Sequence, residues 1–471
     1  MFQTFGRYQY MIFCLCILCK IFIAFNQMAV IFYAPKVSYI CDTTKAETCP
    51  CSKPIYDKSV FTNTITMEWN LICNDKWLAN LTQTLFQVGV LFGSVFFGMA
   101  ADRYGRRNPC LLAVVVQLVM STASAYATNY VVFCIMRVLI GAAVGGTMVT
   151  TFVLLMEFIG NKNRDLISAL YHVPFNLGHI MLPLFSYFFR DYKQLLLVTS
   201  LPSVILLCYF WLLPESARWL IAVKRTDEAI AILEKEAKIS RRQVNVRKEV
   251  QAYAKTLSQP NAQKGSLADL FRTPNLRRNI ICMSFNWMTC SYCFYGVSQY
   301  VGHLSGNVFI NVAASGCVAL LGSFTSIPLM RICARKTVVV AFHFLCAICL
   351  FALIFVPEGN LSIVLACTGV VSSFIVFVVV YLYCSELFPT VVRNAAVGFS
   401  SMMARFGSML APFVINGADI ALWLPPLGFA ILPLVACCVT FLLPETKDCE
   451  LMTTLQEGEN FGKKVGNTPK K

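Results

Sequence analysis

The chain has 471 residues, of which 57% are hydrophobic and only 13% charged. An apolar share of that size exceeds what the core of a water-soluble protein can hide, which excludes the soluble classes. The net charge of +15 is no nucleic-acid signal, because the positive residues gather in one set of loops between apolar runs, where contact with anionic lipid heads accounts for them.

Apolar runs of bilayer-spanning length, about 20 residues, start near Tyr10, Trp77, Cys110, Val131, Leu166, Leu195, Ile280, Asn307, Thr337, Leu361, Ala396 and Trp423. They predict twelve spanning helices, since barrel strands would show short alternating segments instead. The first run, Tyr10 to Tyr33, is too long for a secretory apolar core and lacks a small-residue cleavage pattern, so it reads as helix one. Lys20 lies well inside it and shares a face with Gln27. That lysine either faces a cavity as a positive group or pairs within the bundle.

The loop between Ala34 and Lys76 carries Cys41, Cys49, Cys51 and Cys73. Four cysteines in an oxidising compartment suggest two disulfides, with three possible pairings. No metal site is expected, because Cys49-Pro-Cys51 lacks ligand spacing and the loop has no histidine. The other cysteines mostly lie inside spans, as small apolar side chains. Sequons at Asn80 and Asn360 hug predicted membrane boundaries, so glycosylation is not expected there.

After the second span comes GMAADRYGRR, Gly98 to Arg107. Gly98 permits close helix approach, Asp102 can pair with cations or cap a helix, and Gly105 permits a tight turn. Arg103, Arg106 and Arg107 belong to the positive loops, with Lys162, Arg164, the segment Arg218 to Arg278, Arg331, Arg335, Lys336 and the tail lysines. Lysines on the other side, such as Lys36, Lys58 and Lys76, are balanced by nearby carboxylates. This asymmetry puts both termini and the long middle loop in the cytoplasm. Within that loop Thr226 to Leu257 reads as helix, interrupted after Gln259 by Pro260, Asn261 and Gly265. It is either a brace tying two bundles together or a tethered linker.

The second half repeats the first at an offset of 229 residues. Glu157 and Arg164 recur as Glu386 and Arg393, and Gly178 and Pro183 as Gly407 and Pro412. Arg106 and Arg107 have counterparts in Arg335 and Lys336, and LLPES (Leu212 to Ser216) returns as LLPET (Leu442 to Thr446) with one residue of slippage. A duplicated bundle of apolar helices is the architecture of a secondary transporter. The expected layout is a six-helix bundle over 1–213 with its external loop at 34–76, a cytoplasmic linker with short helices over 214–278, a second six-helix bundle over 279–443 and a cytoplasmic tail over 444–471.

Charged groups at the cytoplasmic ends suit a latch made in one state and broken in another: Asp102, Arg103, Arg106, Arg107, Glu157, Arg164, Glu215 and Arg218 in the first half, and Glu386, Arg393 and Glu445 in the second. Arg405, in MMARFGSMLAP of the eleventh span, can bind a carboxylate or sulfonate bidentately, or pair with another helix. Trp287, Tyr292, Phe294 and Tyr295 in the seventh span, with Tyr381 and Tyr383 in the tenth, are candidate pocket walls or packing aromatics. His172, His179, His303 and His343 form no ligand spacing; His179 is the one proton-coupling candidate. No nucleophile–base constellation or phosphate-binding loop appears, so neither an enzyme nor a cofactor is expected.

GMAADRYGRR resembles the loop signature of the major facilitator superfamily, and PESARWL (Pro214 to Leu220) and PET (Pro444 to Thr446) extend the likeness over nearly the whole chain. EWNLIC (Glu68 to Cys73), LLMEFIG (Leu154 to Gly160), SELFPTVVRN (Ser385 to Asn394) and the cysteine-bearing loop resemble the organic ion transporter family of solute carriers, which contains organic cation, organic anion and carnitine transporters. The resemblance implies an all-α membrane protein with two pseudo-symmetric six-helix bundles around a central cavity, working by alternating access. It also implies that Arg405 stands where anion and carnitine transporters commonly carry arginine and cation transporters aspartate. Asn26 matches a polar position of helix one, and these aromatics of the seventh and tenth spans match residues that surround bulky organic ions. Three departures stand out: a short first external loop, Arg331 and Ala334 in place of Asp102 and Gly105 in the second half, and Ala319 where many relatives carry a carboxylate.

The expectation is a plasma-membrane secondary transporter of small organic ions, with anions or carnitine-like zwitterions favoured and cations possible. A receptor or scaffold on a transporter fold, or a sugar-porter-like facilitator, is the alternative. The partners expected are substrate and lipid, with no nucleic acid, and the coupling ion is unknown.

Overall fold

The computed structural model describes residues 6–42, 49, 51, 53–159, 164–241, 245–257, 266–449, 452 and 454–462; the side chains of 164, 165, 168, 254–257 and 419 lie outside the described set. Twelve long helical segments follow the twelve apolar runs: α1 (Arg7–Tyr33), α2 (Lys76–Tyr104), α3 (Arg107–Ser124), α4 (Tyr130–Phe158), α5 (Arg164–Leu170 and Val173–Phe188), α6 (Tyr192–Leu212), α7 (Pro274–Val301), α8 (Val308–Ile332), α9 (Arg335–Ala352), α10 (Asn360–Leu387), α11 (Thr390–Asn416) and α12 (Leu424–Thr440). Seven are by themselves long and apolar enough to cross a membrane. The other five are α3, α5, α7, α11 and α12, which are short, broken or studded with polar residues. Lipid-facing surface is evident in bulky exposed side chains such as Phe92, Phe96 and Met99 on α2 and Trp211 on α6, which a bilayer rather than water accommodates.

Two compact units divide the chain. One holds residues 1–260 and 299–320, the other 261–298 and 321–471. In the first, α2 and α4 meet backbone to backbone: a Cβ on Gly89 would lie 2.1 Å from the Val138 carbonyl oxygen, and one on Gly141 2.1 Å from that of Phe86. Small residues at a helix crossing are what allow that approach in lipid. The repeated glycines have matching structural roles. Gly178 of α5 lies against Ile21 and Ala24 of α1, and Gly407 of α11 against the Met288 carbonyl of α7 in the second unit.

The cysteine-bearing loop forms a short antiparallel hairpin, Tyr39–Cys41 with Pro54–Tyr56. Of the three possible pairings it takes Cys41–Cys51 and Cys49–Cys73. Its far end is tied to the α5–α6 turn by Thr62 N–H to Arg190 O (3.1 Å), Tyr192 N–H to Asn63 O (3.1 Å) and Lys193 Nζ to Glu68 Oε1 (2.7 Å). The Asn80 sequon is buried, and its side-chain oxygen accepts from Gln299.

Linker helix Thr226–Ile239 is docked on its own unit, with buried Glu236 accepting from Gln9 of α1 at 2.9 Å. In the second unit, the tail helix Leu455–Asn460 caps α7, since the Glu459 carboxylate accepts from the Asn275 and Leu276 backbone N–H groups at 2.9 and 3.2 Å. A carboxylate there satisfies orphan donors and complements the helix dipole.

Candidate functional site

The charged repeat builds two clasps, one inside each unit, at helix ends next to positive loops. In the first, Arg106 reaches from the α2–α3 turn to the last turn of α4, with Nε and Nη2 at 3.2 and 3.1 Å from Glu157 Oε1. Its Nη1 donates to the Ala101 carbonyl at 2.6 Å and to Asp102 at 2.8 Å. Glu215, from the PES motif, receives the backbone N–H groups of Arg106 (2.7 Å) and Arg107 (3.2 Å) and so caps α3. Arg107 Nη2 donates to the Phe210 carbonyl at 2.5 Å. Gly105 makes this possible: its φ of +94° suits glycine, and a Cβ there would sit 2.2 Å from Glu215 Oε2.

The second clasp repeats the arginine–glutamate pair and the capping glutamate of the first at the sequence offset, without the Asp102 bond, since Arg331 stands there. Arg335 Nη2 and Nε bind Glu386 at 3.1 and 3.2 Å, and Arg335 Nη1 donates to the Met330 carbonyl. Glu445 caps α9 through the N–H groups of Arg335 (2.9 Å) and Lys336 (3.0 Å). Thr446 Oγ1 adds a 2.6 Å bond to Glu386. Ala334 replaces Gly105 here in an ordinary extended conformation, φ −66°, so this clasp forms without the strained turn. The paired side chains are 12–18% exposed, buried enough for the pairs to matter.

Asp102 joins the first clasp from its exposed edge, through Arg106. Other residues of the expected latch stand apart: Arg103 lies over the Tyr104 ring, and Arg218 makes no ion pair among the described residues. Arg393 donates through Nε to the Phe388 carbonyl at 3.4 Å, and its Nη2 has no partner among the described residues. The Arg164 side chain lies outside the described residues.

Within the second unit the candidate substrate residues form a cluster around Arg405, which is 7% exposed. Its guanidinium is hydrogen-bonded to Tyr295 and acts on Tyr381. Trp287 lies 4.2 Å from Tyr381, centroid to centroid, with Phe377 alongside. Phe294 packs on Tyr295 and Phe374 at 5.1 and 5.3 Å. The Trp287 indole N–H is buried and has no partner among the described residues. Two aromatics are engaged elsewhere. Tyr292 donates to the Gly428 carbonyl (3.1 Å), and Tyr383 to the Pro444 carbonyl beside the second clasp (2.7 Å).

In the first unit Lys20 is buried with Nζ 4.0 Å from the Tyr171 ring centroid, a cation–π contact. Asn26 spends its side chain inside the bundle: Nδ2 donates to the Phe22 carbonyl and Oδ1 accepts from Ser121, both at 2.9 Å. His179 Nε2 lies 3.3 Å from Ser315 Oγ.

Sequence reasoning passed over Arg137. It sits two turns into α4, fully buried, with Nη2 at 3.1 Å from the Asn26 carbonyl and 3.3 Å from Gln83 Oε1. The available signal was an arginine inside the apolar run VVFCIMRVLIGAAVGG, with amides at helical spacing, Gln83 and Gln87, on the preceding span. Arg137 also completes a charge pattern. Lys20, Arg137 and Arg405 lie deep within the spanning helices, whereas every acidic residue in the twelve helices (Asp102, Glu157, Asp165, Glu386) lies within three residues of a helix end.

The family model described as "Sugar (and other) transporter" matches residues 43–456. An organic cation transporter protein of Drosophila melanogaster is 34% identical over 430 residues, covering 89% of this chain and 78% of that one. Solute carrier family 22 member 12 of Homo sapiens is 34% identical over 427 residues, covering 88% and 77%, and member 3 of Mus musculus 33% identical over 404 residues, covering 85% and 72%. The E. coli xylose transporter XylE in an inward open conformation shares the fold with a TM-score of 0.71 at 16% identity, over 96% of this chain and 99% of that one. These relatives are transporters, not enzymes, and the chain has the fold of the major facilitator superfamily. The chain belongs to solute carrier family 22, and it is a multi-pass secondary transporter of organic ions.

Proposed function

We propose that this transporter carries organic anions or zwitterions, carnitine-like solutes among them, across the plasma membrane by alternating access, with Arg405 as the anchor for the substrate's carboxylate. The observation that carries this reading is the charge pattern of the spans: three buried cations and no deep carboxylate. A fixed guanidinium offers paired, charge-assisted donors to a carboxylate, and a site short of negative charge disfavours a cation by electrostatics alone. Trp287, Tyr295, Tyr381 and Phe294 provide apolar and ring surface around it, and the free Trp287 indole N–H is a further donor. The positive loops lie on the cytoplasmic side with both termini. Each clasp keeps the helix ends of its own half together, so that a half can move as a body during rocker-switch exchange.

The cation reading is supported by two Drosophila melanogaster relatives, an organic cation transporter protein at 34% identity and an organic cation transporter-like protein at 30%, to which the ring cluster adds a surface that also suits ammonium groups. Uptake of labelled anionic, zwitterionic and cationic solutes into vesicles carrying wild type and Arg405→Ala separates the two readings. Anion or zwitterion uptake lost in the variant supports the proposal. Cation uptake alone, unchanged by the substitution, overturns it, and no saturable uptake of any organic ion favours a receptor or scaffold role.

A further inference from the structure

Arg137 poses a local charge problem that a substrate anchored at Arg405 does not resolve. Its guanidinium is 0% exposed, and no carboxylate pairs with it among the described residues. It has five N–H donors: Nη2 is engaged with the Asn26 carbonyl and Gln83 Oε1, and the Tyr33 hydroxyl lies within hydrogen-bonding reach of the guanidinium. Nε and Nη1 are buried and unpartnered. The Phe86 ring 4.4 Å from Cζ and the Tyr33 ring at 5.2 Å offset part of the charge. Nε and Nη1 still stand without a partner beside them.

The two helices that Arg137 bonds to, α1 and α2, carry amides in the same condition. Gln27 follows Asn26, and its own carbonyl accepts from Gln83 Nε2 at 3.0 Å. Its side chain is 1% exposed, with both amide atoms unpartnered. Gln87 lies one turn beyond Gln83 on the same face of α2, 0% exposed, and its amide is equally idle. Unsatisfied buried donors at that density are rare in native proteins, and they point to an occupant. Water would satisfy hydrogen bonds but leave a buried, uncompensated charge, which costs several kcal/mol. An anion meets both needs.

We infer that Arg137, with the side-chain amides of Gln27 and Gln87, holds a small inorganic anion of the chloride class inside the first unit. The anion is a resident counter-ion joining α1, α2 and α4, distinct from the substrate anchor at Arg405, which belongs to the other unit.

The test is thermal unfolding of the purified full-length chain in sodium chloride, bromide and gluconate at matched ionic strength. Chloride and bromide should raise the Tm saturably over gluconate, because an anion bound only by the folded state stabilises it by mass action. Gln87→Leu, which leaves the charge untouched, should raise the chloride midpoint about tenfold, the worth of one hydrogen bond to a charged group. Arg137→Gln should abolish the halide shift if it folds, and Gln27→Leu serves as the second amide test if it does not. Arg405→Ala should keep the shift whatever becomes of its uptake. Equal Tm in all three salts overturns the inference, as does a halide shift that vanishes with Arg405→Ala and survives Gln87→Leu with its midpoint unchanged.

Discussion

Gly105 shows how much one residue can decide. Its φ of +94° and ψ of 162° fall in a region essentially confined to glycine, and the place of its missing Cβ is taken by the Glu215 carboxylate. Gly105→Ala should therefore cost about 1–3 kcal/mol of backbone strain, besides displacing the α3 cap, and should lower the Tm of the purified protein. Ala334→Gly at the equivalent turn removes no such contact and should change the Tm far less. The sequence made Gly105 legible as a turn glycine, but not its contact with a carboxylate 110 residues later. Arg137 was harder to see for a different reason. It falls a few residues after the expected start of the fourth span, where an arginine passes for an interfacial one, and only the packed helices reveal its depth.

At the scale of elements, the clasps turn a thin repeat into matched geometry. Arg106 with Glu157 and Arg335 with Glu386 are each 51 residues apart and hold equivalent helix ends. The repeat identified the carboxylates, but partner choice depended on which helix ends meet, and spacing along the chain does not carry that. A double-mutant cycle on Arg106→Ala and Glu157→Ala, read by thermal unfolding, should give a coupling of about 0.5–3 kcal/mol. The Arg393→Ala and Glu386→Ala cycle should give none.

The disulfide-bearing loop allows a pH prediction. Hydrogen bonds from Lys193, and then from Asn63, hold the Glu68 carboxyl below its ordinary value. A lowered folded pKa contributes stability above the unfolded value, about 4.3 for glutamate, and that contribution is lost as pH falls through the lower folded value. Hydrogen exchange at residues 62–72 should accelerate relative to α2 as pH drops below about 4, once intrinsic rates are corrected, and Glu68→Gln should remove the difference. The pair is partly exposed, so the effect is local and modest.

For the whole molecule, twelve helices were legible because hydrocarbon leaves the backbone no alternative to helix. One of them is broken: α5 stops at Leu170 and restarts at Val173 ahead of Pro174. Substrate charge is a property of this same scale, because it depends on the sum of buried charges over all spans. That sum is positive at Lys20 and Arg405 even where a resident counter-ion offsets Arg137. The most direct test of anion selection is the ratio of labelled organic anion to organic cation uptake in proteoliposomes, for wild type and Arg405→Asp at matched protein content. The account predicts that wild type favours the anion and that charge reversal lowers the ratio by about tenfold or more, the worth of a charge-assisted contact. An unchanged ratio, or a wild type that carries only the cation, would contradict it.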